Sequence, residues 1–261
     1  MQPDLKAGRV RLVGAGPGAA DLLTVRALRA IESAQAVLYD ALISDEVLAL
    51  APPNCLKIQT GKRAGRTSMA QATINRLMLR LARRGLTVVR LKGGDPSIFG
   101  RVGEEREFLQ AHGVGVEVVP GVTAACAAAA QFGFPLTHRG EARRLLISTA
   151  TVASGAMLEE GWLAAADRET TLALYMGRDQ AAAVAEQLIG HGRSPVTPAI
   201  AVENAGSPDA RAIATTLQDL AAELEAARPS GPVVLLIGDV VARAEAGLGN
   251  PVAAPLRRAL R

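Results

Sequence analysis

The chain has 261 residues, a formal charge of +4, 49% apolar residues and 21% charged residues. That is the make-up of a globular protein long enough for one large or two small domains. No apolar run reaches the length of a membrane span, and the opening "MQPDLKAGRV" carries no apolar core of a signal peptide. Aromatic residues are 3%, too few for base-stacking platforms, and the basic residues are dispersed, so no nucleic-acid partner is expected.

In chain order, short β-rich runs alternate with longer helical patterns. "VRLVG" (10–14), "AVLY" (36–39), "LTVVRLK" (86–92) and "VEVV" (116–119) read as strands. Residues 24–33, 68–84 and 103–112 between them carry apolar residues at helical spacing. The Ala-rich stretch "GVTAACAAAAQFGFP" (121–135) reads as a closely packed helix ended by Gly133 and Pro135. The rhythm then restarts with strand-like runs at 144–150, 171–176, 198–203 and 232–238, separated by helical stretches at 179–190 and 216–227. This predicts an α/β protein of two lobes, 1–138 and 139–245, each a mostly parallel sheet flanked by helices. Residues 246–261, with two prolines and three arginines, read as an extended tail.

Cys55 and Cys126 have neither metal-ligand nor redox spacing, and His112, His138 and His191 are scattered. No metal site is expected, and the cysteine usage suits the reducing cytoplasm.

Two loops carry chemistry. The first is "VGAGPG", which fits a dinucleotide fingerprint as Gly14-x-Gly16-x-x-Ala19, with Asp40 a little over 20 residues on. Pro17 argues the other way, because it removes a backbone N–H where a pyrophosphate would need one. The second is "RLKGGDPSIFGRVGEE" (90–105), which follows a strand. Adjacent Gly93 and Gly94 allow a ligand to approach the backbone closely, Asp95 adds an acceptor, and Pro96 stiffens the turn. A plain β-to-α loop would read the same way, with Glu104 and Glu105 complementing the helix dipole.

Together "VGAGPG", "YDALIS", "GKRAG", "RLKGGDPSIFGR", "PGVTA", "PLTHR" and "YMG" resemble, in order and over residues 9–243, the S-adenosylmethionine-dependent tetrapyrrole methylases. Tyr39-Asp40 and Gly61-Lys62-Arg63 favour the uroporphyrinogen-III C-methyltransferases among them. The resemblance implies a two-lobed fold with cofactor and substrate in the cleft between lobes, as a homodimer. It implies S-adenosyl-L-methionine as methyl donor, S-adenosyl-L-homocysteine as product, and methylation of uroporphyrinogen III at C2 and C7 to precorrin-2. Cofactor contacts carry over to Pro17, Gly93, Gly94, Asp95, Ile98, Thr123, Ala124 and Met176, and to Ala205 through its backbone. Asp40 would accept a proton and Lys62 donate one. Arg63, Arg101 and Arg139, all in motif loops, would orient the substrate carboxylates.

Each residue has a plainer reading. Met176 could be core, Thr123 a helix cap, Asp40 a cap for a helix at 44–50, and Lys62 a solvated charge. Departures from the usual pattern stand at Ala19, Ala41, Ser97, Val102, Thr149-Ala150-Thr151 and Ala205. A methylase of a later corrinoid intermediate, an NAD(P)-binding oxidoreductase and a non-catalytic nucleoside-binding protein are the competing expectations.

Overall fold

A computed structural model describes residues 8–61, 69–150 and 159–244. The chain forms two compact units that divide after Thr123.

The first unit contains β1 (Val10–Gly14), α1 (Val25–Glu32), β2 (Ala36–Tyr39), α2 (Asp45–Ala49), β3 (Leu56–Gln59), α3 (Gln71–Arg83), β4 (Val88–Lys92), α4 (Val102–Ala111) and β5 (Val116–Val119). Its five strands lie in the order β3-β2-β4-β1-β5, and every pair is parallel. Parallel strands need crossovers, and the helices between them cover both faces of the sheet. The alternation of side chains divides the core accordingly. Val13, Val37, Val89 and Leu91 face the cluster around Ile31 and Val47. Val10, Leu12, Leu38 and Val88 face the cluster around Ile74, Met78 and Leu109. Because all five strands run the same way, their C-terminal ends share one edge, where open α/β sheets bind ligands.

The second unit contains α5 (Ala124–Gln131), β6 (Arg144–Thr149), α6 (Glu159–Ala166), β7 (Thr170–Tyr175), α7 (Ala181–Gly190), β8 (Pro198–Glu203), β9 (Arg211–Thr216), α8 (Leu220–Ala227) and β10 (Val233–Ile237). Its strand order is β6-β7-β10-β8-β9.

This corrects two expectations. The second sheet is not mostly parallel. Only β6 and β7 pair in parallel, whereas β10 runs antiparallel to β7 and β8, and β8 to β9. The loop 204–210 is too short for a crossover, so β9 must return antiparallel beside β8. The division also falls earlier than 138. The small face of α5 (Ala125, Ala128 and Ala129) packs with Ala173, Ile200, Val234 and Leu236 of the second sheet, so the helix belongs to that core. It ends as expected, with Gly133 in the left-handed region at φ +68°. The tail 246–261 lies outside the described residues.

At the C-terminal edge of the first sheet, the loops after β1, β4 and β5 touch backbone to backbone. A Cβ at Gly14 would stand 2.6 Å from Gly121 N and 2.7 Å from the Gly94 carbonyl oxygen. A Cβ at Gly121 would fall on the Gly94 carbonyl oxygen and lie 2.9 Å from Gly14 Cα. These are backbone atoms and cannot rotate away. Gly121→Ala is therefore expected to destabilise the protein by about 1–3 kcal/mol, as overpacking does. Gly103→Ala, in α4 with nothing within 4 Å of the new Cβ, should leave stability unchanged or raise it by up to about 1 kcal/mol. Urea midpoints of the two variants provide the check. Equal midpoints would show that the loops part to admit a side chain.

Candidate active site

The first loop answers its own question. Ala15 N donates to Lys92 O at 2.9 Å, and Gly16 N to Gly94 O at 3.3 Å. Gly94 N returns a 2.7 Å bond to Gly16 O. Gly16 and Gly94 form an isolated antiparallel bridge, both with positive φ, at +69° and +68°. The glycines thus serve the contact between two loops. Two loop N–H groups are consumed and Pro17 has none, so no cradle for a pyrophosphate remains at positions 15–17.

Asp95 fastens the third loop. Its Oδ1 accepts from Ser97 N at 2.8 Å and from the Ser97 hydroxyl, and its Oδ2 accepts from Gly121 N at 2.9 Å. Burial alone would raise its pKa, but these hydrogen bonds together hold the carboxyl below the usual aspartate value. Ser97, one of the departures, thereby supplies a hydroxyl that ties the loop down. Pro17, Gly93, Gly94, Asp95 and Thr123 all lie on these joined loops. Ile98 is half-buried, on the turn closed by its own N–H to Asp95 O at 3.1 Å.

Asp40 follows β2 on the same edge. It is not the cap of α2, because Ser44 takes that place and accepts from Val47 N. Asp40 Oδ1 instead takes the Arg90 guanidinium and lies 3.3 Å from the Thr60 hydroxyl. Arg90 and Lys92 alternate along β4 and project into the interior on one face. Arg90 Nε lies 3.3 Å from Glu105 Oε1, and Lys92 Nζ lies 3.0 and 3.1 Å from the two Glu105 oxygens. Glu105, on α4, is fully buried. Burial pushes the Lys92 ammonium below the usual lysine value, as does neighbouring Arg90, while Glu105 pulls it back. Neither Arg90 nor Lys92 stands out in the sequence as a site residue, and Glu105 reads there only as a complement to the helix dipole. Their signal was two cations at i and i+2 in an otherwise apolar strand, followed by a carboxylate one helical turn into the next helix.

Arg101 opens α4 with φ +56° and grips Glu104 in a two-pronged pair, at 2.8 and 2.6 Å. Its guanidinium is therefore engaged within its own loop. Lys62 and Arg63 lie outside the described residues.

Ala124, Arg139, Met176 and Ala205 belong to the second unit. Met176 is not core: it follows β7 with φ +53° and is 54% exposed. A left-handed, exposed methionine costs conformational energy, as do the positive φ values of Phe99 and Arg101 in the loop after β4. Tyr175, beside it, accepts a 2.9 Å bond at its hydroxyl from Ala125 N and so brings the start of α5, with Ala124, near Met176. Ala205 is buried in the α5 cluster, which leaves its backbone for any ligand contact. Arg139 is exposed on a turn closed by paired bonds of 3.0 Å between His138 and Ala142.

The brace at Asp95 has a pH signature. Its folded pKa lies below the unfolded one, so its contribution is present above the unfolded value near 4 and is lost as pH falls through the folded value. Asp95→Asn should cost about 1.5–3 kcal/mol at pH 7, the range for a hydrogen-bonded charge. The gap to wild type should narrow only below about pH 4. Urea titrations at pH 7 and pH 3.5 test this, and a gap independent of pH would assign the bracing to neutral hydrogen bonds alone.

Known proteins place the chain. The sequence profile of the Tetrapyrrole (Corrin/Porphyrin) Methylases matches residues 9–221. A uroporphyrinogen-III C-methyltransferase of Paracoccus denitrificans is 47% identical over 238 residues, spanning 91% of this chain and 83% of that one. A siroheme synthase of Azotobacter vinelandii is 44% identical over 90% of this chain, which spans only 50% of that protein's length. A crystal structure of the Thermus thermophilus uroporphyrin-III C-methyl transferase, complexed with S-adenyl homocysteine, matches with TM-score 0.76 at 42% identity, covering 90% of this chain and 93% of that one. A cobalt precorrin-4 methyltransferase matches with TM-score 0.82 at 30% identity, covering 92% and 99%. The chain belongs to the tetrapyrrole (corrin/porphyrin) methylases.

Proposed function

We propose that the protein transfers methyl groups from S-adenosyl-L-methionine to carbons of uroporphyrinogen III, at C2 and C7, to give precorrin-2 for sirohaem or cobalamin-type synthesis. The observation that carries this reading is the closed glycine edge, with its N–H groups spent and Pro17 among them. Such an edge suits an adenosyl ligand that has no phosphate, and disfavours NAD(P). The identity to a uroporphyrinogen-III C-methyltransferase supports the choice of substrate.

Pro17, Gly93, Gly94, Asp95, Ile98 and Thr123 of the first unit, and Ala124, Met176 and Ala205 of the second, are the residues that would hold the cofactor. When bound, it supplies an electrophilic sulfonium methyl. The pyrrole carbon is itself nucleophilic, so the chain's main task is alignment, which can contribute about 7–11 kcal/mol. Asp40 accepts the proton that the macrocycle must lose after each methylation. Its Oδ1 is anchored, and the side chain keeps 32% exposure. Lys62 serves as proton donor. Arg63, Arg101 and Arg139 meet the substrate's carboxylates. The Arg101–Glu104 pair is about half exposed; solvent screens such pairs, so it yields to a substrate carboxylate at little cost. We further assign a cytoplasmic homodimer, on the family resemblance; no helix of the described residues is long and apolar enough to cross a membrane.

The match to a cobalt precorrin-4 methyltransferase sustains a second reading, a later corrinoid substrate. One experiment separates the two. Anaerobic incubation with S-adenosylmethionine and uroporphyrinogen III should yield products heavier by one and two methyl groups. Asp40→Asn should slow their formation by roughly 10²–10⁴-fold with cofactor affinity nearly unchanged. No mass gain would overturn the substrate assignment, and wild-type turnover in the variant would overturn the role of Asp40.

A further inference from the structure

The proton acceptor proposed above sits at the end of a chain of buried charges. Arg90 is 3% exposed and Glu105 is wholly enclosed, while Asp40, at 32%, is the member that reaches solvent. The two cations, Arg90 and Lys92, balance the two carboxylates, Glu105 and Asp40. Every arm of Arg90 is committed: Nη2 to Asp40, Nε to Glu105, and Nη1 to Leu91 O at 3.0 Å. Glu105 is held in turn by Lys92 and by Gln71 Nε2 at 3.0 Å, and Gln71 also reaches Asn75 on its own helix. Elements β2, β4, α3 and α4 are thus tied through one buried carboxylate.

A fold has little need for such an arrangement. Buried ion pairs can be replaced by packed apolar side chains with little loss of stability, so their presence in a central strand calls for another reason. The geometry at Asp40 supplies one. Arg90 Nη2 donates to Oδ1, and the Thr60 hydroxyl, whose shorter contact is 3.0 Å to Tyr39 O, lies 3.3 Å from the same oxygen. No hydrogen bond to Oδ2 is found among the described residues. One oxygen is clamped from the interior and the other is left to act.

We propose that Arg90 is a positioning residue that fixes the Asp40 carboxylate for proton abstraction, with Glu105 and Lys92 holding the guanidinium in place. The planar fork of arginine suits this task, because it reaches Asp40 and Glu105 at once; a lysine ammonium in its place reaches one of them. The inference rests on the assignment of Asp40 as proton acceptor, and it predicts that Arg90 acts only through Asp40.

The test measures kcat, KM for uroporphyrinogen III and the Kd for S-adenosylmethionine in Arg90→Gln, Arg90→Lys, Asp40→Asn and the double variant Asp40→Asn/Arg90→Gln, with melting curves alongside. Arg90→Gln should lower kcat by roughly 10- to 100-fold, as misplacement of a catalytic group does. KM and cofactor Kd should stay within about threefold, less than the 1.4 kcal/mol of a tenfold change. Arg90→Lys should fall between Gln and wild type. In the Asp40→Asn background, Arg90→Gln should lower kcat by no more than about threefold, the non-additivity expected of two residues acting as one unit. A fully multiplicative loss in the double variant would overturn the proposal, as would wild-type kcat in Arg90→Gln. If Arg90→Gln fails to fold, Arg90→Lys decides, and wild-type kcat there overturns the proposal. A normal kcat in Asp40→Asn refutes the assignment of Asp40 itself. A low kcat in that variant beside a normal one in Arg90→Gln refutes only the role of Arg90.

Discussion

Everything at the candidate site depends on a steric constraint between three backbones. The turns after β1, β4 and β5 approach so closely that Gly14 and Gly121 have no room for a Cβ. Their contact is sealed by the reciprocal hydrogen bonds of Gly16 and Gly94 and by Asp95, which spans from the second turn to the third. The result is a stiff rim on the C-terminal edge of a parallel sheet. Because the amides of Ala15, Gly16 and Gly94 are paired with backbone carbonyls and that of Gly121 with the Asp95 carboxylate, the rim offers surface and shape rather than a nest for phosphate. A loop that resembles a dinucleotide fingerprint therefore has a different physical purpose here.

Behind that rim the first sheet carries its other unusual feature, two cations inside the core. A parallel sheet covered on both faces is expected to be a run of apolar side chains. β4 keeps that rule with Val88, Val89 and Leu91 and breaks it with Arg90 and Lys92. Both belong to the segment that leads directly into Gly93-Gly94-Asp95, and Glu105 belongs to the helix that follows it. The strand, the loop that follows it and the helix therefore share one electrostatic anchor. Local order at the loop and the orientation of Asp40 on the neighbouring strand are parts of one construction.

The four strands that could be read in the first lobe are those with concentrated β-branched or apolar residues, and the structure contains all of them. The two strands that escaped notice, β3 and β9, are edge strands. Neither "LKIQ" nor "RAIATT" has a fully buried residue, so neither composition nor alternation marks them strongly. Missing β9 concealed the antiparallel half of the second sheet, since the tight β8–β9 return is what sets that direction. Asp95 reads in the sequence as a loop acceptor but not as a brace, because its partner Gly121 N lies in a distant turn. Met176 read equally well as core until its positive φ and exposure were known. The Arg90–Glu105–Lys92 cluster is a tertiary fact: nothing in local spacing says which carboxylate will meet which cation.

The most direct test of the account is isothermal titration of the protein with S-adenosylhomocysteine and, separately, with NADH. The closed glycine rim predicts saturable binding of S-adenosylhomocysteine and none of NADH, and predicts that Gly121→Ala, which forces the three turns apart, weakens the first by at least about tenfold, or 1.4 kcal/mol. Binding of NADH without binding of S-adenosylhomocysteine would contradict it.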